Sequence, residues 1–173
     1  ALLRSGHRIA AVGSSDSHTV NFAIPGQGRT YLPLDDSDPS SLDLTRAVEA
    51  FHEGDTHVSF GLLTRLTVDE SEFKATVSGP DWATATSLTL FVDGSEVETI
   101  AIPEAEGRSA GVKFTRTWRR DRLKVGKGSF LVVVARGPGI TEPWWMMMPP
   151  YQPDSPDYDP YVFAVSPALF VGE

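Results

Sequence analysis

The feature that most constrains this chain is a change of hydrophobic period near residue 60. From Leu63 onward helical spacing vanishes and apolar residues alternate, as in Leu66-Thr67-Val68 and Phe73-Lys74-Ala75-Thr76-Val77. Successive side chains of a strand point to opposite faces, so this period predicts half-buried β-strands. Ser87 to Val92 and Val97 to Ile102 flank Asp93-Gly94-Ser95-Glu96, a hairpin signal. Val112 to Trp118 alternates again, and Phe130 to Ala135 is a continuous apolar run suited to a central strand. Short strands at this spacing predict a two-sheet β-sandwich over residues 62–173, of immunoglobulin-like type. Residues 137–160 interrupt it with a Pro/Trp/Met-rich loop holding seven of the 13 prolines.

Before residue 60 the chain reads as α/β material. Arg8 to Val12 is an apolar run ending in Gly13, the pattern of a buried strand. Gly28 to Leu32 and Thr56 to Phe60 read as two more strands. Between them Leu44, Ala47, Val48 and Phe51 recur at i, i+3, i+4 and i+7, one face of a helix. Asp38-Pro39-Ser40-Ser41 offers capping chemistry, and Gly54 is placed to end the helix in a left-handed conformation. The chain has no initiator Met, and its first residues read as a helix end entering a strand. That points to a start within a domain.

Composition narrows the function classes. The net charge of −8 disfavours nucleic acid as a partner, because such binding needs a basic footprint. Eight of the 15 Lys and Arg do lie between Arg108 and Lys127, where Asp121 is the only acid. That cluster reads either as a solvated strand edge or as a surface for an anionic partner. No run approaches the roughly 18 to 20 apolar residues of a membrane span, so no membrane partner is expected. The absence of cysteine excludes disulfides, thiolate metal sites and a Cys nucleophile. It fits cytoplasm and export equally.

The stretch Gly13-Ser14-Ser15-Asp16-Ser17-His18 carries the most chemistry. In extended backbone, positions i and i+2 project to one side, so a carboxylate and an imidazole can converge on one divalent ion. The same two side chains in a Ser-rich loop also serve as turn and capping groups, and the spacing alone leaves both readings open. Residues 4–18 resemble the last metal-binding strand of the PHP (polymerase and histidinol phosphatase) superfamily, whose Gly-x-x-Asp-x-His signature is matched at Gly13, Asp16 and His18. Gly28 to Leu32, Gly54 to Gly61 and Ala164 to Val171 are similar to segments of its carbaryl-hydrolase-like branch, in which a β-sandwich follows the barrel.

The resemblance implies that residues 1–61 are the C-terminal strands and helix of an incomplete metallohydrolase barrel. It implies a hydrolase of phosphoester, ester or carbamate bonds on a small-molecule substrate, with two or three divalent ions (Zn, Mn or Fe). Asp16 and His18 would be ligands; the family's other ligands, including an early His-x-His, have no counterpart here. A missing N-terminal part of the same protein is therefore the expected partner, and oligomerisation is compatible with the sequence.

Other residues carry weaker signals. Arg29 is a tentative substrate-binding residue, able to clamp a phosphate or carboxylate, or else to form an ion pair at the barrel rim. His7 reads as a packing or surface residue, His52 as a cation at a helix C-terminus, and His57 as a strand residue without a role. Trp144 to Tyr151 reads as packing onto the absent barrel or as the lining of a substrate entrance. Asp154, Asp157 and Asp159 form a poor calcium loop among prolines. The alternative functions are a non-catalytic sandwich module binding carbohydrate or protein, and a domain that only supports the barrel.

Overall fold

The computed structural model describes residues 2–15, 26–138 and 161–172. The protein is mainly β, with antiparallel sheets that share one apolar core. In chain order the strands are β1 (Arg29–Tyr31), β2 (His57–Phe60), β3 (Leu63–Val68), β4 (Glu72–Gly79), β5 (Ser87–Val92), β6 (Ser95–Ala101), β7 (Gly111–Arg119), β8 (Phe130–Pro138), β9 (Tyr161–Val165) and β10 (Leu169–Phe170). Helix α1 spans Leu44–Glu53, and a single turn, α2, spans Glu104–Gly107. One sheet runs β1-β2-β9-β8-β5-β6, with β10 also on β8; the other runs β3-β4-β7.

The period-two reading from Leu63 onward corresponds to strands whose inward residues come from both sheets. Phe73, Ala75 and Val77 of β4 face Leu88 and Leu90 of β5 and Leu131, Val133 and Ala135 of β8 within one buried cluster. Each large side chain taken fully out of water contributes about 1.5–3 kcal/mol. The expected central strand is central: β8 pairs with β5, β9 and β10. The Asp93-Gly94 hairpin is also present. Asp93 has φ 51° and Gly94 φ 74°, a two-residue turn with both central residues left-handed. The Asp93 carboxylate accepts from the Phe130 amide (3.0 Å) and the Ser129 hydroxyl (3.1 Å), which pins the turn to the start of β8.

The first 60 residues join this body through β2. It pairs with β1 on one side and with β9 on the other, so one sheet runs through both regions of the chain. The chain then crosses to the second sheet at Gly61, whose φ of 91° places it beside Val162. Helix α1 ends at Gly54 as expected, but its cap is Asp43, since Asp38 caps a separate short turn at Pro39–Ser41. The Asp43 carboxylate accepts from the Arg46 amide (2.9 Å), and Gly54 closes the other end at φ 75°. Arg46 also meets Glu53 at 3.0 Å on the exposed surface.

Two expectations fail here. Among the described residues Arg8 to Val12 is not a buried strand: the segment joins no ladder there, and both Ile9 and Val12 are exposed. The apolar face of α1 is not buried either, since Leu44 is 74% exposed and Val48 57%. Both segments have the right local pattern, but no described element lies against them to complete a core.

Candidate functional site

The candidate metal residues Asp16 and His18 lie outside the described residues, as do Trp144 to Tyr151 and the three aspartates near 157. The residues leading into Asp16 are described and tightly held. Gly13 lies against β1, where an added Cβ would stand 2.6 Å from the Arg29 carbonyl oxygen. Its amide donates to Thr30 Oγ1 (3.0 Å), and that hydroxyl donates back to the Gly13 carbonyl (3.1 Å). Ser15 Oγ accepts from the amides of Gly26 (2.9 Å) and Gly28 (3.1 Å). Gly28 in turn has no room for a side chain, because Ser14 O is 2.5 Å from its Cβ position. Only glycine permits these two backbone approaches, so the loop's two ends are clasped by small residues and hydroxyls.

Arg29 extends from β1 beside this clasp. Its Nε donates to Gly26 O (2.5 Å) and one terminal nitrogen donates to the Tyr31 hydroxyl (3.2 Å). The guanidinium thereby braces the turn that enters β1.

His7 and His52 are exposed, His52 in the last turn of α1. His57, to which the sequence assigned no role, is the one deeply placed imidazole among the described residues. Its Nδ1 is 2.7 Å from Thr64 O, across the corner between the two sheets. A carbonyl only accepts, so Nδ1 carries the proton. Burial pushes the pKa of His57 below its ordinary value, against the raising effects of that hydrogen bond and of Asp55.

Three of the eight basic residues in this cluster meet a carboxylate. Arg108 meets Glu104 at 3.0 Å, Arg119 meets Asp121 at 2.7 Å, and Arg116 meets Glu98 at 3.1 Å. Glu98 also accepts from Trp118 Nε1 (2.5 Å), so this trio ties β6 of one sheet to β7 of the other. Lys113 is nearly fully buried, which its alternating context does not foretell. The β4–β7 register shifts between Val77 and Ser78, with Val77 opposite Phe114 and Ser78 opposite Val112. Lys113 is the extra residue, and the bulge turns it inward. Its amine donates to the Ser109 carbonyl just past α2, and burial lowers its pKa. The solvated-edge reading thus describes this strand better than an anion-binding face does.

One cleft of about 580 Å³ lies where the two regions meet, lined among others by Arg8, Glu53, Asp55, Leu66 and Phe170. Arg8 lies over the Phe170 ring, 4.9 Å from its centroid. Among the described residues no three His, Asp or Glu side chains gather as a metal site would require. The chain matches no protein-family model, no curated protein and no solved structure at a significant level.

Proposed function

We propose that this chain is the C-terminal portion of a PHP-type metal-dependent hydrolase, and that it contributes Asp16 and His18 to a divalent-metal site. The observation that carries the reading is the Gly13 contact. The signature Gly-x-x-Asp-x-His asks for glycine at its first position, and Gly13 sits where any Cβ would strike the Arg29 carbonyl. The loop that follows departs from a root clasped by Thr30 and by Ser15. Such a root supports a metal-binding loop, because ligands must be held by their supporting shell to coordinate well.

A carboxylate and an imidazole are suitable donors for Zn, Mn or Fe. Two donors do not complete the four or more positions a divalent site needs, so the remaining ligands belong to the missing N-terminal part. In the intact protein the ions would polarise a phosphoester, ester or carbamate and supply hydroxide at neutral pH. The sandwich-like body, of immunoglobulin type on this reading, serves as the platform on which the barrel portion stands. The test is metal content and hydrolysis of the intact protein carrying Asp16→Ala or His18→Ala. Each substitution is expected to lower both. Unchanged metal content together with unchanged turnover would refute the assignment.

A further inference from the structure

Residues 11–15 hang on β2 and on its edge partner β1. The Thr56 hydroxyl, just ahead of β2, donates to Ala11 O (2.7 Å). Val58 of β2 lies 3.1 Å from where a Cβ on Gly13 would stand. Thr30, which exchanges two hydrogen bonds with Gly13, stands opposite Val58 in the register. Ser15 is held in turn by the amides of Gly26 and Gly28 at the entry to β1. β1 itself is weakly anchored. It is an edge strand of three residues, paired only through Arg29↔Ser59, Thr30↔Val58 and Tyr31↔His57, and it contributes nothing to the buried core cluster.

His57 sits between Thr56 and Val58, in the middle of these contacts. Its Nδ1–H is engaged by Thr64 O, and among the described residues Nε2 has no hydrogen-bond partner. Nε2 is not sealed from solvent, so it is the atom that takes up a proton. The residue as a whole is only 9% exposed, which leaves an imidazolium there poorly hydrated. The titratable groups that face it are Asp55 ahead of β2, Arg65 on β3 and Tyr31 opposite on β1. Asp55 favours the proton and Arg65 disfavours it, and burial outweighs both.

We propose that His57 is an acid-sensitive latch: a proton at Nε2 favours local parting of β1 from β2, which frees residues 11–15 while the two-sheet core stays folded. Parting exposes the imidazolium to water and breaks only three residue pairs. The closed form refuses a proton that the open form accepts, so closure weakens as pH falls through about 6.5. Histidine is the side chain suited to such a switch, and an edge outside the core is a suitable element for it to bias. The latch requires no metal at Asp16 or His18. It sets the conditions under which the chain leading into that stretch is held.

The test is residue-resolved amide exchange on the 173-residue chain at pH 7.5, 6.5 and 5.5, corrected for the intrinsic pH dependence of exchange. Protection at Gly13 and Gly28, whose amides make the clasp, is expected to fall by about threefold or more over that range. It should lie about 100-fold below that of Leu90 and Val133 and respond little to dilute urea, because local parting exposes little surface. His57→Asn keeps a donor for Thr64 O and does not titrate, so the fall should disappear. Thr56→Val removes the hold on Ala11, and protection at Gly13 should drop at every pH while the fall persists. In the unsubstituted chain the His57 imidazole, followed by NMR, should titrate over the interval in which protection is lost.

Protection at Gly13 and Gly28 that ignores pH overturns the latch, as does a fall that survives in His57→Asn or vanishes in His18→Ala. Protection equal to that of Leu90 and Val133, with the same response to urea, also overturns it, since only unfolding of the whole molecule would then admit the proton. An imidazole that titrates outside the interval does the same.

Discussion

Two apolar runs of similar character meet opposite ends in this molecule. Leu88 and Leu90 of β5 are fully buried, whereas Val12 of the Arg8–Val12 run is 59% exposed. Hydrophobicity does not separate them. β5 has β6 on one side and β8 on the other, so its backbone is paired along its length and its inward residues meet β4 across the core. Among the described residues the earlier run has neither a ladder nor a facing sheet. Burial in a β protein is collective: a strand's side chains leave water only when its amides and carbonyls find partners at the same time.

The most severe way to probe the paired side is Leu90→Ala. The side chain is enclosed on all sides, so truncation leaves a cavity as well as losing transfer free energy. A loss of about 2–5 kcal/mol is expected, read as a lower midpoint in urea with an unchanged slope. A loss below about 1 kcal/mol would mean that the two sheets can close on the void, and that their shared core is softer than its burial indicates.

A smaller and pH-dependent effect is expected at His57, which stands at the corner where β2 passes into β3. Burial holds its folded-state pKa below the ordinary histidine value. The charges nearby oppose each other, Asp55 favouring the proton and Arg65 disfavouring it. Around the unfolded value of about 6.5, the unfolded chain therefore binds a proton that the folded chain refuses. Stability rises with pH in that window, and it falls as pH drops through 6.5 toward the folded-state value. Urea unfolding at pH 7.5, 6.5 and 5.5 should show this decline. Replacement by Asn, which keeps a donor for Thr64 O but does not titrate, should flatten it. An equal decline in His57→Asn would place the proton uptake elsewhere.

Much of the second region was legible from its residues. Alternation found β3, β4 and β7, a continuous apolar run found β8, and Asp93-Gly94 located the hairpin because few residue pairs tolerate two left-handed positions. Lys113 was not legible, since a bulge is a property of register between two strands and leaves no mark on either one alone. In the first region termination at Gly54 appears as read, whereas the cap of α1 is Asp43 and Asp38 caps only the short turn Pro39–Ser41. What failed was the inference from an apolar face to its burial, because that depends on a neighbour the local pattern cannot supply. The candidate site divides the same way. Gly13 is explained by its contact with β1, Arg29 braces its own turn, and Asp16 and His18 stand on the motif and lie outside the described residues.

The mildest perturbation sharpens the comparison most. Val12→Ala removes two methyl groups from a side chain that is mostly in water, so it creates no cavity and strands no polar group. Within the chain by itself the expected change is no more than about 0.5 kcal/mol, the ordinary range for a surface substitution. The contrast with Leu90→Ala then measures what pairing and enclosure add to the same kind of apolar residue. If Val12→Ala instead cost more than about 1 kcal/mol, the run would have to be covered in the free chain, and the difference between the two regions would vanish.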